Sequence, residues 1–527
     1  MIGLALSEPA EPKARAGAAS ILATRSDILD RNGRVLATNM ETFSVYAHPH
    51  QVTDAVGSAQ KLAAIFPDID PVKMAERLAS DRKFMWIKRT VSPEEKQAVH
   101  DIGDPGLLFG PREMRLYPNG QLAGHILGGA GFGDEGTHSA EVIGVAGVEK
   151  AFDTFLRGPE FKGQPLQLSL DLTVQATLEH SLLGGMKLMN AKAAAAVVMD
   201  VHSGEIRAMA SLPDFDPNHR PTPLLEGDQA DDPLFNRSVQ GLYELGSTFK
   251  LFTIAQALEL GLVNPDTQIN TRGPIRIGGH QIKDFSDYGP TQTTSNVLVK
   301  SSNMGTIRIA DMIGTPRQKA FLSQLGLLDP TPIEVIEGPT GRPKFPAQWR
   351  DVNRATISYG HGISTTQVHL AAAYAAMVNG GTKVTPTLLK TTDVAQGPRI
   401  ISQQVSRDVT DMLRKVVTDG TASFGEVPGY AVGGKTGSAD KPRPTGGYYE
   451  DKLMATFASV FPVNDPQYVL IVTLDEPEDR AGPEPRRTAG WTAVPVAAEV
   501  IRRIAPLLNV TPVEDPSNLP AVTLTAN

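Results

Sequence analysis

The segment at residues 243–258 reads Tyr-Glu-Leu-Gly-Ser-Thr-Phe-Lys-Leu-Phe-Thr-Ile-Ala-Gln-Ala-Leu. A turn signal at Gly246 is followed by apolar residues at helical spacing, which predicts a helix that begins near Ser247. Residues three apart share one face of a helix, so we expect the Lys250 ammonium beside the Ser247 hydroxyl. This pair has the spacing of a serine nucleophile and its general base.

The proposed base must differ from an ordinary lysine. A serine hydroxyl needs a neighbour that takes its proton, and a free lysine, with a pKa of about 10.4, is protonated at neutral pH. We therefore expect Lys250 in an apolar environment near another cation, with Lys435 as the candidate. The segment from Ser58 to Lys61 has the same spacing, but it lies in a polar amphipathic stretch and is interpreted as a solvated helix face.

A second segment, Ser301-Ser302-Asn303, follows one helical pattern and precedes another, so it is interpreted as a loop that enters a helix. In a tight Ser-x-Asn bend, the hydroxyl and the amide can face the same cleft. Ser301 could then relay a proton to a departing amine, and Asn303 could bind a peptide backbone. The alternative interpretation is a helix N-cap, where serine and asparagine are common.

A third segment, Lys435-Thr436-Gly437 followed by Ser438, lies in the first of two short strand-like runs at residues 430–439 and 454–461. The runs predict antiparallel neighbours in a sheet. On an edge strand, such a segment offers a cation and a hydroxyl to a carboxylate, and we expect Gly437 to let the substrate backbone come close. The alternative interpretation is an ordinary strand with a glycine bulge.

The order Ser-x-x-Lys, Ser-x-Asn and Lys-Thr-Gly resembles the signature of penicillin-binding proteins and serine β-lactamases. Further stretches resemble class B penicillin-binding proteins, at residues 25–33, 115–118, 144–149, 157–158, 199–200, 204–206, 208–210, 215–218 and 236–237. Residues 301–303, 359–367 and 493–497 resemble the division-specific branch, penicillin-binding protein 3. Two positions depart from the pattern: Leu245 stands where proline is frequent, and Ser26 where glycine is usual.

The resemblance implies an α+β fold of the penicillin-binding and β-lactamase type, with an antiparallel sheet flanked by helices and an elongated N-terminal pedestal. It implies a serine acyltransferase that cross-links peptidoglycan stem peptides during septal cell-wall synthesis and is inhibited covalently by β-lactams. No cofactor and no metal is expected. The expected partners are stem peptides, their lipid-linked precursor, β-lactams, and membrane proteins of the division machinery, including a glycosyltransferase.

The resemblance also assigns residues to the reaction. The catalytic residues that it implies are Ser247, Lys250, Ser301, Asn303 and Lys435, and the substrate-binding residues are Thr436, Gly437 and Ser438. Ser247 attacks the bond between two terminal D-alanines, and Ser301 delivers a proton to the D-alanine that leaves. The backbone N–H groups of Ser247 and Ser438 are expected to form the oxyanion hole.

The chain is interpreted as a flexible juxtamembrane segment (1–23), an N-terminal pedestal (24–163), a transpeptidase domain (164–508) and a C-terminal tail (509–527). The main boundary is placed where a Gly/Pro stretch gives way to an alternating run and then to a helical pattern. Strands are predicted at 194–199, 206–210, 431–435, 455–461 and 468–474, and a final helix at 494–508. We expect the catalytic half to have a core of its own.

Composition is consistent with this interpretation. The chain has 527 residues, 41% of them apolar, which is enough for two or more domains. A net charge of -8 argues against nucleic-acid binding, and without cysteine there is neither disulfide nor thiol chemistry.

No run reaches the roughly 20 apolar residues of a membrane helix. Since the family resemblance implies a single N-terminal anchor, we expect a place at the periplasmic face of the bacterial inner membrane, with the anchor absent from this sequence.

Other functions remain open. A serine β-lactamase shares the three motifs but is usually smaller, and class A enzymes activate water with a glutamate. Glu334 and Glu337 follow Ser-x-Asn, but neither begins a Glu-x-x-x-Asn pattern. A β-lactam sensor or a non-catalytic division scaffold is the second alternative, and the presence of every reacting group argues against it. A bifunctional synthase is disfavoured because the N-terminal half lacks the acidic signature of a glycosyltransferase.

Overall fold

The computed structural model describes residues 25–132, 142–227, 231–391, 397–443 and 446–513. The strands within these ranges are β1 (Ile28–Leu29), β2 (Val35–Ala47), β3 (Met85–Val91), β4 (Leu107–Leu116), β5 (Gly129–Phe132), β6 (Val142–Ala146), β7 (Leu166–Gln167), β8 (Ala193–Asp200), β9 (Ile206–Leu212), β10 (Gln268–Asn270), β11 (Ile275–Ile277), β12 (His280–Ile282), β13 (Thr291–Thr293), β14 (Gly433–Pro442), β15 (Tyr448–Phe461) and β16 (Tyr468–Asp475).

The helices within the same ranges are α1 (Ala55–Ile65), α2 (Pro71–Leu78), α3 (Pro93–His100), α4 (Gly124–Leu127), α5 (Gly147–Ala151), α6 (Asp153–Arg157), α7 (Leu172–Leu188), α8 (Lys250–Glu259), α9 (Thr294–Val299), α10 (Asn303–Ile313), α11 (Thr315–Gln324), α12 (Asp351–Ser358), α13 (Gln367–Val378), α14 (Gln403–Thr418) and α15 (Ala493–Ile504).

The N-terminal half is built on a sheet with the strand order β3-β2-β1-β7, and β4 pairs antiparallel with β2. At the far end of β2, the strands and α1 to α3 enclose a separate apolar cluster that includes Val45, Leu62 and Met85. We call this part, residues 43–111, the head. Because the cluster lies apart from the rest of the buried residues, the head has a core of its own.

The part of the N-terminal half nearer the catalytic domain is packed differently. Ile28, Leu36 and Val148 are buried in the same apolar cluster as the catalytic sheet and its helices. Glu149, which is 0% exposed, bridges Arg25 over 2.6 Å and Arg115 over 2.7 Å. The expectation that the catalytic half has a core to itself is therefore wrong, because the main core continues into residues before 163.

The catalytic half contains a five-stranded antiparallel sheet with the order β14-β15-β16-β8-β9. Helices α7 and α15 pack on each other and on this sheet, and α13 packs against β8, β15 and β16. Every residue of β16 is buried, so helices cover both faces of the sheet. β14 forms one edge of the sheet, as predicted for the strand that carries Lys435.

The predicted strands at 194–199, 206–210, 455–461 and 468–474 are confirmed, each by an observed strand that contains it. The strand predicted at 431–435 begins later, at Gly433, because Ala431 has φ +40°, which is incompatible with an extended strand. The final helix was predicted to reach residue 508 but ends at Ile504. Pro506, which has no backbone N–H, follows this end.

The remaining boundaries are only partly described. β7 pairs in parallel with β1, and α7 starts behind the Asp171 N-cap, so the predicted boundary near residues 163–165 lies just before β7 and stays a prediction. The predicted segment 1–23 lies outside the described residues, as does the tail from 514 onward. Before that point, Val510 is buried in the main core. In the part of the chain that is described, no helix has the length and apolar character needed to cross a membrane.

Candidate active site

Ser247 lies in a 3₁₀ turn (Gly246–Phe249) that leads directly into α8, as the sequence predicts. Gly246 has φ +54°, a left-handed conformation that glycine adopts without strain, and its N–H donates to the Gly360 carbonyl over 3.2 Å. The Thr248 hydroxyl donates to the Leu245 carbonyl over 2.8 Å and closes the turn. These contacts hold the partly exposed Ser247 in place.

β14 passes directly against the turn that carries Ser247. A Cβ built on Gly437 would lie 2.2 Å from the Leu245 carbonyl oxygen and 3.0 Å from the Thr248 methyl group. Any side chain at position 437 would therefore push β14 away from the turn. The missing side chain thus makes room for the enzyme's own backbone, while the approach of a substrate backbone at Gly437 stays a prediction.

Lys250 and Lys435 meet at Ser301, and both lysine side chains are 0% exposed. The Nζ atom of each lysine donates to the Ser301 hydroxyl over 3.0 Å. Lys250 also donates to the Ser301 carbonyl, and Lys435 to the Thr436 carbonyl. Within the described residues, no hydrogen bond joins Ser247 to Lys250, although catalytic contacts of this kind often tighten only when substrate binds.

The surroundings of Lys250 and Lys435 lower the pKa of each side chain. Burial lowers the pKa of Lys250 well below its usual value, the neighbouring Lys435 lowers it further, and Asp284 partly offsets both effects. Burial lowers the pKa of Lys435 to about 7. The lowered pKa suits Lys250 to accept a proton, while Lys435, with a pKa of about 7, is partly protonated at neutral pH. The predicted perturbation of Lys250 by burial and by Lys435 is confirmed.

The middle motif is held by a carboxylate that the sequence did not reveal. Ser301 has φ +61°, an uncommon conformation for a residue with a side chain, and Ser302 is the N-cap of α10. The buried Asp284 accepts from the Ser302 hydroxyl over 2.6 Å and from the backbone N–H groups of Asn303 and Met304. Asp284 follows β12, 18 residues before Ser302, and no local pattern marks it.

The N-cap interpretation of the middle motif is also confirmed, and it does not exclude a catalytic role. Ser302 caps the helix, whereas Ser301 faces the two lysines. Asn303 is the first residue of α10 and is partly exposed. Its amide nitrogen donates to the Lys283 carbonyl over 3.2 Å, which fixes the orientation of the side chain. The amide oxygen then remains available to accept a hydrogen bond from a ligand.

Thr436 and Ser438 lie two residues apart on β14 and therefore share a face of the strand. The Thr436 hydroxyl lies 2.7 Å from that of Thr421, and the Ser438 hydroxyl accepts from the Ala489 N–H over 2.9 Å. The Ser438 backbone nitrogen lies 3.3 Å from the position of a Cβ built on Gly246. The two predicted oxyanion donors thus belong to adjacent stretches of backbone.

The second Ser-x-x-Lys segment has no such surroundings. Ser58 is buried in α1 and donates to the Asp104 carboxylate over 2.8 Å, while Lys61 is exposed. The interpretation as a solvated helix face is correct for Lys61 and wrong for Ser58, whose hydroxyl helps to anchor the start of α1. The buried serine therefore has a structural partner, and the exposed lysine is an ordinary surface cation.

The two glutamates that could have indicated a hydrolase are also held elsewhere. Glu334 accepts from the Thr387 hydroxyl over 2.6 Å and from the Leu388 N–H over 2.9 Å. Glu337 accepts from the Gly147 N–H over 3.0 Å. Each carboxylate therefore fixes backbone outside the site. Among the described residues, no group of three or more His, Cys, Asp or Glu residues is arranged to hold a metal.

The pKa of Lys435 predicts the pH dependence of acylation by a β-lactam that carries a carboxylate. As pH rises through about 7, Lys435 loses its proton and no longer attracts that carboxylate. We expect kcat/KM for acylation to fall on the alkaline side of about pH 7, approaching tenfold per pH unit. Stopped-flow or quenched acylation assays from pH 6 to 9, with melting curves as the control for folding, measure this. A rate that rises steadily to pH 9 would contradict the assignment.

An antiparallel sheet whose edge strand, nucleophile turn and middle loop bring a serine together with two buried lysines defines a serine acyltransferase of the penicillin-recognising type. Comparison with known proteins agrees. Residues 194–502 match the family described as the penicillin binding protein transpeptidase domain, and residues 20–164 match the penicillin-binding protein dimerisation domain. The chain belongs to the penicillin-binding protein transpeptidase family.

Individual relatives point to one branch of that family. The chain is 34% identical to the probable peptidoglycan D,D-transpeptidase FtsI of Caulobacter vibrioides, over 92% of this chain and 82% of the relative. It is 28% identical to the peptidoglycan D,D-transpeptidase FtsI of Escherichia coli K12, over 93% and 84%. Among solved structures, penicillin binding protein 3 from Mycobacterium tuberculosis, complexed with aztreonam, is similar with a TM-score of 0.69 and 26% identity, covering 93% of this chain and 98% of that one.

Proposed function

We propose that this protein is a peptidoglycan D,D-transpeptidase of the cell-division type in which Ser247 is the nucleophile. The observation that supports the proposal most is the buried link between Lys250, Ser301 and Lys435 beside a partly exposed serine. It supplies a base whose pKa is lowered, a proton relay, and a second lysine on edge strand β14. This combination suits attack on a peptide that ends in a carboxylate.

Acylation follows from these positions. The stem peptide pairs with β14, and Lys435, Thr436 and Ser438 bind its terminal carboxylate. Lys250 takes the proton of Ser247 as its oxygen attacks the carbonyl between the two D-alanines. Donors to the resulting oxyanion are each worth about 3–4 kcal/mol in enzymes of this kind, and the N–H groups of Ser247 and Ser438 take that role.

The tetrahedral intermediate that carries this oxyanion then breaks down. The bond to the last D-alanine breaks, and its nitrogen receives a proton through Ser301. The product of this half-reaction is an ester between Ser247 and the shortened stem peptide. An amine of a second stem peptide attacks that ester and loses a proton to the Lys250–Ser301 pair. The pair then returns a proton to the Ser247 oxygen as the ester bond breaks and the cross-link forms. A β-lactam enters by the same route and leaves an ester that no second peptide can resolve.

The two alternative functions are less well supported. A non-catalytic scaffold does not need Lys250 to be buried beside a second lysine, an arrangement that costs stability and serves proton transfer. A hydrolase needs a group that activates water at the ester, whereas Glu334 and Glu337 are occupied outside the site. The transpeptidase therefore remains the proposal that uses all the buried polar groups of the site.

The cellular setting extends this proposal. The relatives named FtsI support a role in septal synthesis, and the substrate, peptidoglycan, lies outside the bacterial inner membrane. We place the protein at the periplasmic face of that membrane. Its partners there would be division-machinery membrane proteins, including a glycosyltransferase that supplies the glycan strands from lipid-linked precursor.

Intact-protein mass spectrometry after incubation with benzylpenicillin tests the proposed function. We expect one adduct per chain, mapped to Ser247, that persists for many minutes because the two glutamates considered for water activation, Glu334 and Glu337, are held outside the site. Ser247→Ala should show no adduct and should melt within about 2 °C of the wild type, since a partly exposed hydroxyl contributes little to stability. An adduct on another residue, or rapid recovery of the free protein, would contradict the proposal.

A further inference from the structure

The second half of the proposed reaction needs a place for a second stem peptide. In the ester, the donor chain lies along β14, so the acceptor amine has to reach Ser247 from the other side of the cleft. The middle motif forms that side, where Ser301 contacts both lysines and Asn303 is partly exposed at the start of α10. The rest of the acceptor chain then extends past Asn303.

An open cavity adjoins the middle motif. Its volume of about 660 Å³ lies within the range of small-ligand sites. Residues 271–274, 283–287 and 289–290 line it together with Met304, and we call it the middle-motif cavity. The Asn303 amide nitrogen donates to the Lys283 carbonyl over 3.2 Å, and Met304 is the next residue, so the cavity begins beside the motif.

Contacts within the protein hold the walls of the middle-motif cavity. The Thr271 hydroxyl donates to the Gly289 carbonyl over 2.8 Å and joins the two lining segments. A Cβ built on Gly273 would lie 1.7 Å from the Met304 sulfur, so the first segment packs closely against α10. The Asp287 carboxylate accepts from the Gly289 N–H over 2.9 Å. The cavity is therefore formed without a ligand.

The charges along the cavity favour an anion. Arg272 and Lys283 are exposed, and in the part of the chain that is described neither side chain forms an ion pair or a hydrogen bond. The Asp284 carboxylate is buried and is occupied by the Ser302 hydroxyl and two backbone N–H groups. Asp287 is then the one exposed carboxylate of the described lining, against two cations. A ligand carboxylate can make charge-assisted hydrogen bonds to both cations.

The same cavity offers apolar surface. Phe285 is 92% exposed at its edge, and Pro274, Pro290 and Met304 belong to the lining. An aromatic side chain this exposed gains free energy when a ligand covers it. The cavity thus suits a short peptide that has small apolar side chains and ends in a carboxylate.

An acceptor stem peptide has this chemistry. If cross-linked strands are chemically alike, the acceptor also ends in D-alanine, with a methyl side chain and a terminal carboxylate. We propose that the middle-motif cavity is the acceptor subsite, in which Arg272 and Lys283 bind the terminal carboxylate of the acceptor while its amine reaches the ester on Ser247. This inference rests on the proposed function and assigns a site to its second substrate.

Protein acylated with benzylpenicillin tests the inference, because the adduct occupies Ser247 and the edge of β14. The probes are Nα-acetyl-L-lysyl-D-alanyl-D-alanine, which has a free side-chain amine and a terminal carboxylate, and its C-terminal amide. Dissociation constants from saturation-transfer NMR should be about fivefold lower for the carboxylate form at low ionic strength. Arg272→Gln combined with Lys283→Gln should reduce that ratio to less than twofold.

Arg276→Gln is the matched control, since it removes an exposed cation of β11 outside the lining and should keep the ratio. A second assay reads the acceptor role from the ratio of aminolysis to hydrolysis of the thioester Nα-benzoyl-D-alanyl-thioglycolate. There too, the double variant should lose the preference for the carboxylate peptide. Equal affinities in the wild type, an unchanged ratio in the double variant, or binding without any effect on aminolysis would overturn the inference. A failure of benzylpenicillin to form an adduct at Ser247 would instead overturn the proposed function.

Discussion

Lys250→Arg is expected to be acylated by benzylpenicillin at least about a thousandfold more slowly than the wild type, although the substitution keeps a positive charge. The Lys250 amine can act as a base because burial and Lys435 lower its pKa. A guanidinium keeps its proton in proteins, so it can bind Ser301 but cannot accept the proton of Ser247. The measurement is the acylation rate constant from a time course of intact masses.

Lys61→Arg is the matched control, because Lys61 follows Ser58 at the same spacing but is exposed. This variant should be acylated at the wild-type rate. Circular dichroism and a melting curve establish that Lys250→Arg is folded, which matters because the larger side chain enters a fully buried position. Acylation of a folded Lys250→Arg within tenfold of the wild type would mean that another group acts as the base.

Much of the catalytic half can be predicted from local sequence. β8 and β16 are continuous apolar runs of strand length, so burial on both faces identifies them. The turn before α8 is marked by glycine and by the helical pattern that follows. The three motifs could be assigned to one site because their order matches a known family, although spacing alone did not distinguish Ser247 from Ser58.

Other features depend on contacts between distant parts of the chain. Asp284 has no local signature, yet it fixes the loop that carries Ser301 and contributes to the electrostatics of Lys250. The close approach of Gly437 to Leu245 is likewise invisible in the sequence. Glu244 is brought beside His361 across the fold in the same way. The role of a charged residue or a glycine therefore stays ambiguous until the backbone positions are known, because its partner is distant in the sequence.

The expectation that the catalytic half has a core of its own is the prediction that the structure overturns. A chain reduced to residues 164–513 keeps every residue of the reaction scheme but loses Ile28, Leu36 and Val148 from the continuous core. Burial of one large aliphatic side chain is worth about 1.5–3 kcal/mol, and a whole domain is stable by only about 5–15 kcal/mol. Loss of these three side chains and their buried neighbours therefore removes a free energy of burial comparable to the whole free energy of unfolding.

We expect that shortened chain to fail to fold, with no cooperative melting transition and no adduct at Ser247. The head offers the matched deletion, because its apolar cluster is separate. Thr42 and Arg112 lie opposite each other in the β2–β4 pair, so an Asn-Gly turn can replace residues 43–111 as a two-residue hairpin. This variant should fold, and benzylpenicillin should acylate it within about threefold of the wild-type rate, because no group of the site lies in the head.

The comparison of the two deletions shows whether folding and acylation depend on how many residues are removed or on an unbroken apolar core. The head deletion removes an enclosed cluster together with its own helices, so the remaining protein exposes little new apolar surface. The deletion before residue 164 also removes Arg25 and Glu149, whose buried ion pair lies in the near part of the N-terminal half. If the fragment 164–513 melts cooperatively and is acylated at the wild-type rate, the near part is a dispensable support. If only the head deletion is active, residues 25–42 and 112–163 belong structurally to the transpeptidase.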